Sequence, residues 1–349
     1  MPPKATRREV LAGAATACGV AVGAPAVSRP TTAASPATQT KPDDDSTIGT
    51  VVRDAISDAF QRHEVDGATV AVVENGNVVL EEGFGHAYLN PDVSVSAEST
   101  LFRIGSVSKV FPFVAALRLV EEGDIDPGTP VRDVLDSVSV PDADAFDDPV
   151  TLAHLATHTA GFGESSAGQH RRSLEDLRSL PAVLDANDPA RIHPPGEVPM
   201  YTNYNAGLAG QLVADVQGTD FGEAMQELVF DPFEMTASTF DPLPPALVGG
   251  RNGAAAEIDW FSEMTPASGM SATASDMARF LQAIVGDGSV DGKEVLSPET
   301  VGALHRQWDT PHERLAGAAF GMKRQHRDGT LVVGHEGAIP DFATNLLAV

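Results

Sequence analysis

A chain of 349 residues with one cysteine, Cys18, cannot close an internal disulfide, so its fold must rest on core packing. Lysine is nearly as scarce, with five residues: Lys4, Lys41, Lys109, Lys293 and Lys323. Lys plus Arg total 23 against 49 Asp plus Glu, a formal net charge of −26. Such a surface repels phosphate backbones, which excludes nucleic acid as a partner. The charge balance fits a solvated acidic coat for high salt, where screening confines self-repulsion to a few ångströms. No apolar run makes a convincing membrane span of roughly 20 residues. Aromatic residues are few, but hydrophobic residues make up 42% of the chain. That supports a substantial core and excludes disorder throughout.

The N-terminus has the form of an address. Thr6-Arg7-Arg8-Glu9-Val10-Leu11 precedes a modest Ala, Gly and Val run to about Val27, the pattern of a twin-arginine export signal over 1–29. Ala24-Pro25-Ala26-Val27-Ser28 offers small residues for cleavage. Cys18 follows Ala15-Thr16-Ala17 and is a candidate for lipid attachment, although the apolar run continues past it. Residues 30–47 are rich in Ser, Thr, Pro and Asp and read as a flexible linker. The folded domain is expected over 48–349, at the cell surface or outside the cell.

Within it, Val51 to His63 carries apolar residues at helical spacing. Two β-rich runs, Ala68–Val73 and Val78–Leu80, flank Asn75-Gly76, a strong hairpin signal. A buried helix is predicted from Ser106 to Glu122, stopping at Gly123. Pro112 should remove a backbone hydrogen bond and kink it. Further helices are expected at 151–158, 173–186, 205–217, 220–229 and 274–286. Strand character returns only near Thr330–Val333 and Ala343–Val349. This pattern predicts an α/β (α+β) fold: an antiparallel sheet flanked by helices, from about 48–100 and 320–349, split by an all-helical part over about 101–319.

The chemistry centres on Gly105-Ser106-Val107-Ser108-Lys109 at the head of the buried helix. Residues at i and i+3 share a helix face, so Lys109 can reach the Ser106 hydroxyl. A buried ammonium has a lowered pKa and can act as base, and the helix N-terminus favours a nascent alkoxide. That is the logic of an S-x-x-K acyl-transfer nucleophile. The pair alone is a weak signal. Other features carry less. His154 and His158, at i and i+4, lack a nearby third ligand, so no metal is expected. Gly163-Glu164-Ser165-Ser166-Ala167-Gly168 lacks the glycine spacing of a nucleophile elbow and reads as a surface loop. Asp142, Asp144, Asp147 and Asp148 lack the glycine of a calcium loop.

Leu101-Phe102-Arg103-Ile104-Gly105-Ser106-Val107-Ser108-Lys109 resembles the nucleophile segment of the class C β-lactamase-related serine hydrolases. Three more segments match in order. Thr151–Gly161 resembles the family's structural LLTHTSG segment, and Tyr201-Thr202-Asn203 resembles its Y-x-N motif. Gly334-His335-Glu336-Gly337 resembles its third motif. Arg279 lies in a further recurrent segment, Thr273–Phe280. The resemblance runs from about Ile48 to the last residue. It implies a β-lactamase/transpeptidase-like fold without cofactor or metal, acting on a small ester, amide or peptide. It implies Ser106 as nucleophile, Lys109 as proton acceptor and Tyr201 as an assisting base, phenolate-like beside Lys109. Asn203 would bind a substrate amide or orient Lys109, and His335 would face the pocket from an edge strand. The amides of Ser106 and Ala338, the latter after Gly337, would bind the oxyanion.

The match has departures. Glu336 replaces the usual Thr or Ser; facing the pocket, it would repel a substrate carboxylate. With His335 a weaker cation than Lys, an esterase or amidase preference is expected over turnover of anionic β-lactams. The family's sheet has a further strand and a C-terminal helix after the position of Val349, so a truncated chain of weak activity is the expectation. A carboxypeptidase- or β-lactamase-type activity and a catalytically silent, ligand-binding homologue are the alternatives.

Overall fold

The computed structural model describes residues 47–63, 65–87, 90–142, 144–164, 168–242 and 260–349. The export signal, Cys18 and nearly all of the linker lie outside them. Helix α1 (Thr47–Arg62) leads into β1 (Gly67–Glu74) and β2 (Asn77–Ala87), which pair antiparallel around Asn75-Gly76. Both turn residues have positive φ, 53° and 77°, the combination whose twist matches the strands it joins. β3 (Asn90–Ser94) pairs with the other side of β2.

The chain then runs through β4 (Phe102–Arg103) into a 3₁₀ turn, Gly105–Lys109, and helix α2 (Val110–Glu122). Helix α2 is the hub of the core, with Val110, Phe111, Phe113, Val114 and Leu119 fully buried. The α-helix begins only at Val110, so Pro112 falls in its first turn. An amide there has no partner within the helix, so the expected break in the hydrogen-bond ladder does not arise.

Around α2 pack α3 (Leu152–Ala156), α4 (Leu180–Asn187), α5 (Asn203–Gln217), α6 (Phe221–Met225), α7 (Thr265–Ser268), α8 (Ala274–Val285) and α9 (Pro298–His305). Short strand β5 (Ser271–Ala272) pairs with β4 and ties the nucleophile segment to the α7–α8 connection. The helix expected over 173–186 is instead a 3₁₀ turn, Leu174–Asp176, followed by α4. Pro181 lacks an amide, so it can stand in the first turn of a helix but not in the interior of a longer one. Past α6 the chain winds into a π turn, Gln226–Phe230, within the span expected as one helix.

The chain returns to strands as β6 (Lys323–Arg327), β7 (Thr330–Ile339) and β8 (Phe342–Ala348), ordered β6-β7-β8. Strand β6, Lys-Arg-Gln-His-Arg, contains no apolar residue, so strand character begins earlier than its hydrophobicity indicated. Its signal is the turn: Asp328 and Gly329 have φ of 50° and 82°, the same chemistry as Asn75-Gly76. Among the described residues, β1-β2-β3 and β6-β7-β8 are separate three-stranded antiparallel sheets rather than one.

Candidate active site

The nucleophile segment owes its geometry to the 3₁₀ turn. With three residues per turn, side chains at i and i+3 eclipse, closer than on an α-helix. Lys109 Nζ donates to Ser106 Oγ at 3.1 Å and to the Ala267 carbonyl at 2.9 Å. The turn is locked from beneath: Ser108 Oγ donates to Gly105 O at 2.6 Å and accepts the Met270 N–H at 3.1 Å. Lys109 is fully buried. Burial brings its pKa down to about 7; nearby Lys323 acts in the same direction, while Glu164 opposes both. At neutral pH a large share of Lys109 is therefore the free amine, able to take the Ser106 proton.

Strand β7 closes on this turn through two glycines. It is the middle strand of its sheet, not the edge strand expected for His335. However, β6 pairs with it only as far as Gly334, and beyond that the side opposite β8 faces the 3₁₀ turn. A Cβ on Gly337 would stand 2.1 Å from Ile104 O and 3.2 Å from Ser106 N. One on Gly105, whose φ is 53°, would stand 3.1 Å from Ala338 N. The close approach brings the Ser106 and Ala338 amides to the same seam, where hydrogen-bond donors for an oxyanion are needed.

Tyr201 covers the pair. The residue is 44% exposed, yet its hydroxyl end is enclosed. Lys109 Nζ lies 4.9 Å and Lys323 Nζ 5.5 Å from its ring centroid. His158 and His335 flank it, at 4.6 and 5.8 Å between centroids. Burial pushes the phenol up to about 12, helped by Glu164 and Glu336 and opposed by a hydrogen bond with Ser106. Tyr201 is thus a neutral phenol at physiological pH, not the phenolate expected from the sequence: the enclosure outweighs the neighbouring amine.

Asn203 is held from two sides. Its N–H donates to Glu164 Oε2 at 2.9 Å and its Nδ2 donates to Gln169 Oε1 at 2.9 Å. Among the described residues Lys109 is oriented by Ala267 O and Ser106, not by Asn203. Glu164, read from the sequence as part of a surface loop, belongs to the site. It is solvent-exposed, but its charge is felt at Lys109 and partial burial raises its own pKa. Nothing in the local sequence marks it.

The third-motif wall differs most from expectation. His335 Nδ1 donates to the Glu336 carbonyl at 2.7 Å, because a carbonyl can only accept. Nε2 is then unprotonated, and it is buried without a partner among the described residues. Burial, then Lys109, brings the His335 pKa down to about 4. The ring is a neutral acceptor, not a weak cation. Glu336 is not a free carboxylate either: Lys323 Nζ lies 2.9 Å and Arg327 Nη2 3.4 Å from its oxygens. These partners, Lys323 above all, hold its pKa below the usual carboxylate value.

His154 forms a capping box with Thr151 at the start of α3, and His158 packs on Tyr201. Among the described residues, no three or more His, Cys, Asp or Glu side chains group as metal ligands. Asp144 of the acidic loop meets Arg132 at 3.2 Å, and Arg279 pairs with Glu234 and Asp291.

A serine against a buried, readily neutralised lysine, beneath a tyrosine and beside two converging amides, is an arrangement suited to acyl transfer. Residues 52–349 match the family described as Beta-lactamase, and the chain belongs to that family. It is 29% identical over 240 residues to "Beta-lactamase" of Escherichia coli K12, covering 67% of this chain and 60% of that one. It is 28% identical over 295 residues to "Penicillin-binding protein 4" of Amycolatopsis lactamdurans, covering 79% of this chain and 75% of that one. The octameric penicillin-binding protein homologue from Pyrococcus abyssi superposes with a TM-score of 0.69 at 20% identity, covering 87% of this chain and 71% of its own. The penicillin-binding protein from Bacillus halodurans gives 0.60 at 24% identity, covering 80% and 86%. These two structural likenesses establish the fold. Among the described residues no helix is long and apolar enough to cross a membrane.

Proposed function

We propose that this chain is a serine hydrolase that cleaves esters or amides through an acyl-enzyme. The observation that carries the reading is the 3.1 Å contact between Lys109 Nζ and Ser106 Oγ, made by a lysine with no solvent exposure. In the proposed reaction Ser106 Oγ attacks the substrate carbonyl carbon and its proton passes to neutral Lys109. The oxyanion forms at the Ser106 and Ala338 amides. When the C–O or C–N bond breaks, the ammonium of Lys109 returns the proton to the leaving alcohol or amine, with the Tyr201 hydroxyl as relay. Water then attacks the acyl carbon, giving its proton to Lys109, and Ser106 leaves with a proton regained.

Carboxypeptidase- or β-lactamase-type turnover is the second reading, supported by the names of the relatives and by the pairing of Glu336. With Lys323 and Arg327 beside it, this wall carries two cations to one anion, so the repulsion expected of Glu336 is offset. Export by the twin-arginine route and adaptation to high salt are proposed on the sequence alone.

The test is stoichiometric labelling by a fluorophosphonate in molar salt, followed by panels of short-chain esters, D-amino-acid amides and a chromogenic cephalosporin. Label on the wild type that is lost in Ser106→Ala supports the hydrolase. An unlabelled, cooperatively folded wild type would instead make the chain a silent homologue.

A further inference from the structure

Helices α2, α3 and α5 end in the same turn, and α3, like the π turn that closes at Glu234 with φ of 55°, ends it with a residue other than glycine. In α2, Asp124 N–H donates to Leu119 O and Gly123 N–H to Val120 O; in α5, Thr219 N–H donates to Ala214 O and Gly218 N–H to Asp215 O. In α3, Thr159 N–H donates to His154 O at 2.8 Å and His158 N–H to Leu155 O at 3.2 Å. This double closure requires a left-handed residue, normally glycine. Gly123 and Gly218 supply it with φ of 87° and 70°, whereas α3 uses His158 with φ of 59°. A Cβ in that region costs about 1 kcal/mol or more, so helix closure alone gives no reason for a histidine.

Its contacts give one. The His158 carbonyl accepts the Met200 N–H at 2.7 Å. Its Nδ1 accepts the Thr202 N–H at 3.4 Å and faces Asn205 Nδ2 at 3.1 Å. An acceptor at Nδ1 places the ring's proton on Nε2. The ring lies 4.6 Å from the Tyr201 ring, on which Lys109 also bears. His158 thus grips the segment before, at and after Tyr201. Thr202 and Asn205 belong to the N-terminal cap of α5, so the same ring joins the start of that helix to the end of α3.

We propose that His158 is the positioning residue that holds the Tyr201 hydroxyl over Ser106 and Lys109. The ring stays neutral because it is desolvated and because Lys109, His335 and Lys323 all face it with positive charge or potential charge. A neutral ring also spares Lys109 a second adjacent cation. The inference rests on the hydrolase reading for its kinetic consequences, but the placement of Tyr201 can be read without turnover.

The experiment compares His158→Asn and His158→Gly with wild type on a p-nitrophenyl short-chain ester. Asn tolerates left-handed φ and offers an acceptor oxygen but no ring, and Gly suits the turn but offers neither. Both should melt within a few degrees of wild type. We expect kcat to fall about 10- to 100-fold, the effect of displacing a reacting group by roughly 1 Å, with KM nearly unchanged. The kcat/KM limb set by Lys109 should move to higher pH as water reaches the amine, past Glu164 and Lys323 that flank it. Adding Tyr201→Phe to His158→Asn should cause no further loss. Wild-type kcat and an unmoved limb in His158→Asn, or multiplicative losses in the double variant, would overturn the proposal. With only three tyrosines in the chain, ultraviolet titration supplies the independent readout. The phenol at about 12 should titrate lower in His158→Asn; an unchanged titration also overturns it. Absence of serine labelling in wild type would count against the hydrolase reading alone.

Discussion

The two walls of the cleft are built on opposite principles. The nucleophile wall, from Gly105 through α2, is apolar, tightly packed and almost wholly buried. The facing wall, β6 with Glu336 of β7, is polar and carries its charges half in water: Lys323 and Glu336 are each 44% exposed. The first wall sets the chemistry by desolvation, which moves a pKa by several units. The second can only bias it, because solvent screens what its ion pairs do. Substitutions on the two sides should therefore differ in size and in kind.

The largest effect is expected at Lys109. Its folded pKa is lowered to about 7 from an ordinary 10.5. Between those values the unfolded chain binds one more proton than the folded chain. Stability thus rises with pH through that window, and the burial penalty is fully felt below about pH 7. Lys109→Met removes the base and the penalty together. Activity should fall about 10²- to 10⁴-fold, while stability at pH 6 should rise by up to several kcal/mol. The gain should shrink as pH approaches 10. Thermal melts at pH 6 and pH 9 check this; a lower melting point at pH 6 would mean that desolvation does not govern this wall.

At the seam between the walls, Gly337→Ala should destabilise by about 1–3 kcal/mol, as overpacking does, and lower activity at least tenfold by displacing the Ser106 amide. The comparison site is Gly302 in α9, where a Cβ meets nothing within 4 Å. There the same substitution should stabilise by up to about 1 kcal/mol through helix propensity. Chemical denaturation of the two variants side by side tests whether close approach, rather than glycine itself, matters.

The same contrast explains what the sequence made legible. The nucleophile wall is written in helical periodicity, from Val110 to Val120, and in short-range spacing, so Ser106 and Lys109 could be read together. The resemblance supplied Tyr201, Asn203 and His335, which no local pattern joins to them. Turn chemistry was legible at Asn75-Gly76 and equally present at Asp328-Gly329, but strand β6 was hidden because all five of its residues are polar. Lys323 was hidden with it, and so was the partner that neutralises Glu336. The protonation states of Tyr201 and His335 were not legible either, since they follow from three-dimensional enclosure and not from residue type. Glu164 and Gln169 reach Asn203 across 39 and 34 residues, a separation no motif encodes.

The smallest predicted effect sits on the exposed wall. Glu336→Gln leaves Lys323 and Arg327 without their shared carboxylate, so the local balance changes from one net positive charge to two. Both partners of the closest pair are about half in solvent, so stability should change by less than about 1 kcal/mol. Selectivity is where a screened charge can still register. Relative to a neutral ester of equal size, an anionic ester should gain roughly two- to fivefold in kcat/KM, the scale of one exposed charge interaction. Molar salt should remove that gain, because screening there falls to about 3 Å. If the preference is unchanged at low salt, the substrate does not pass this wall. If it survives molar salt, the carboxylate acts by direct contact, and the wall is less open to water than its exposure implies.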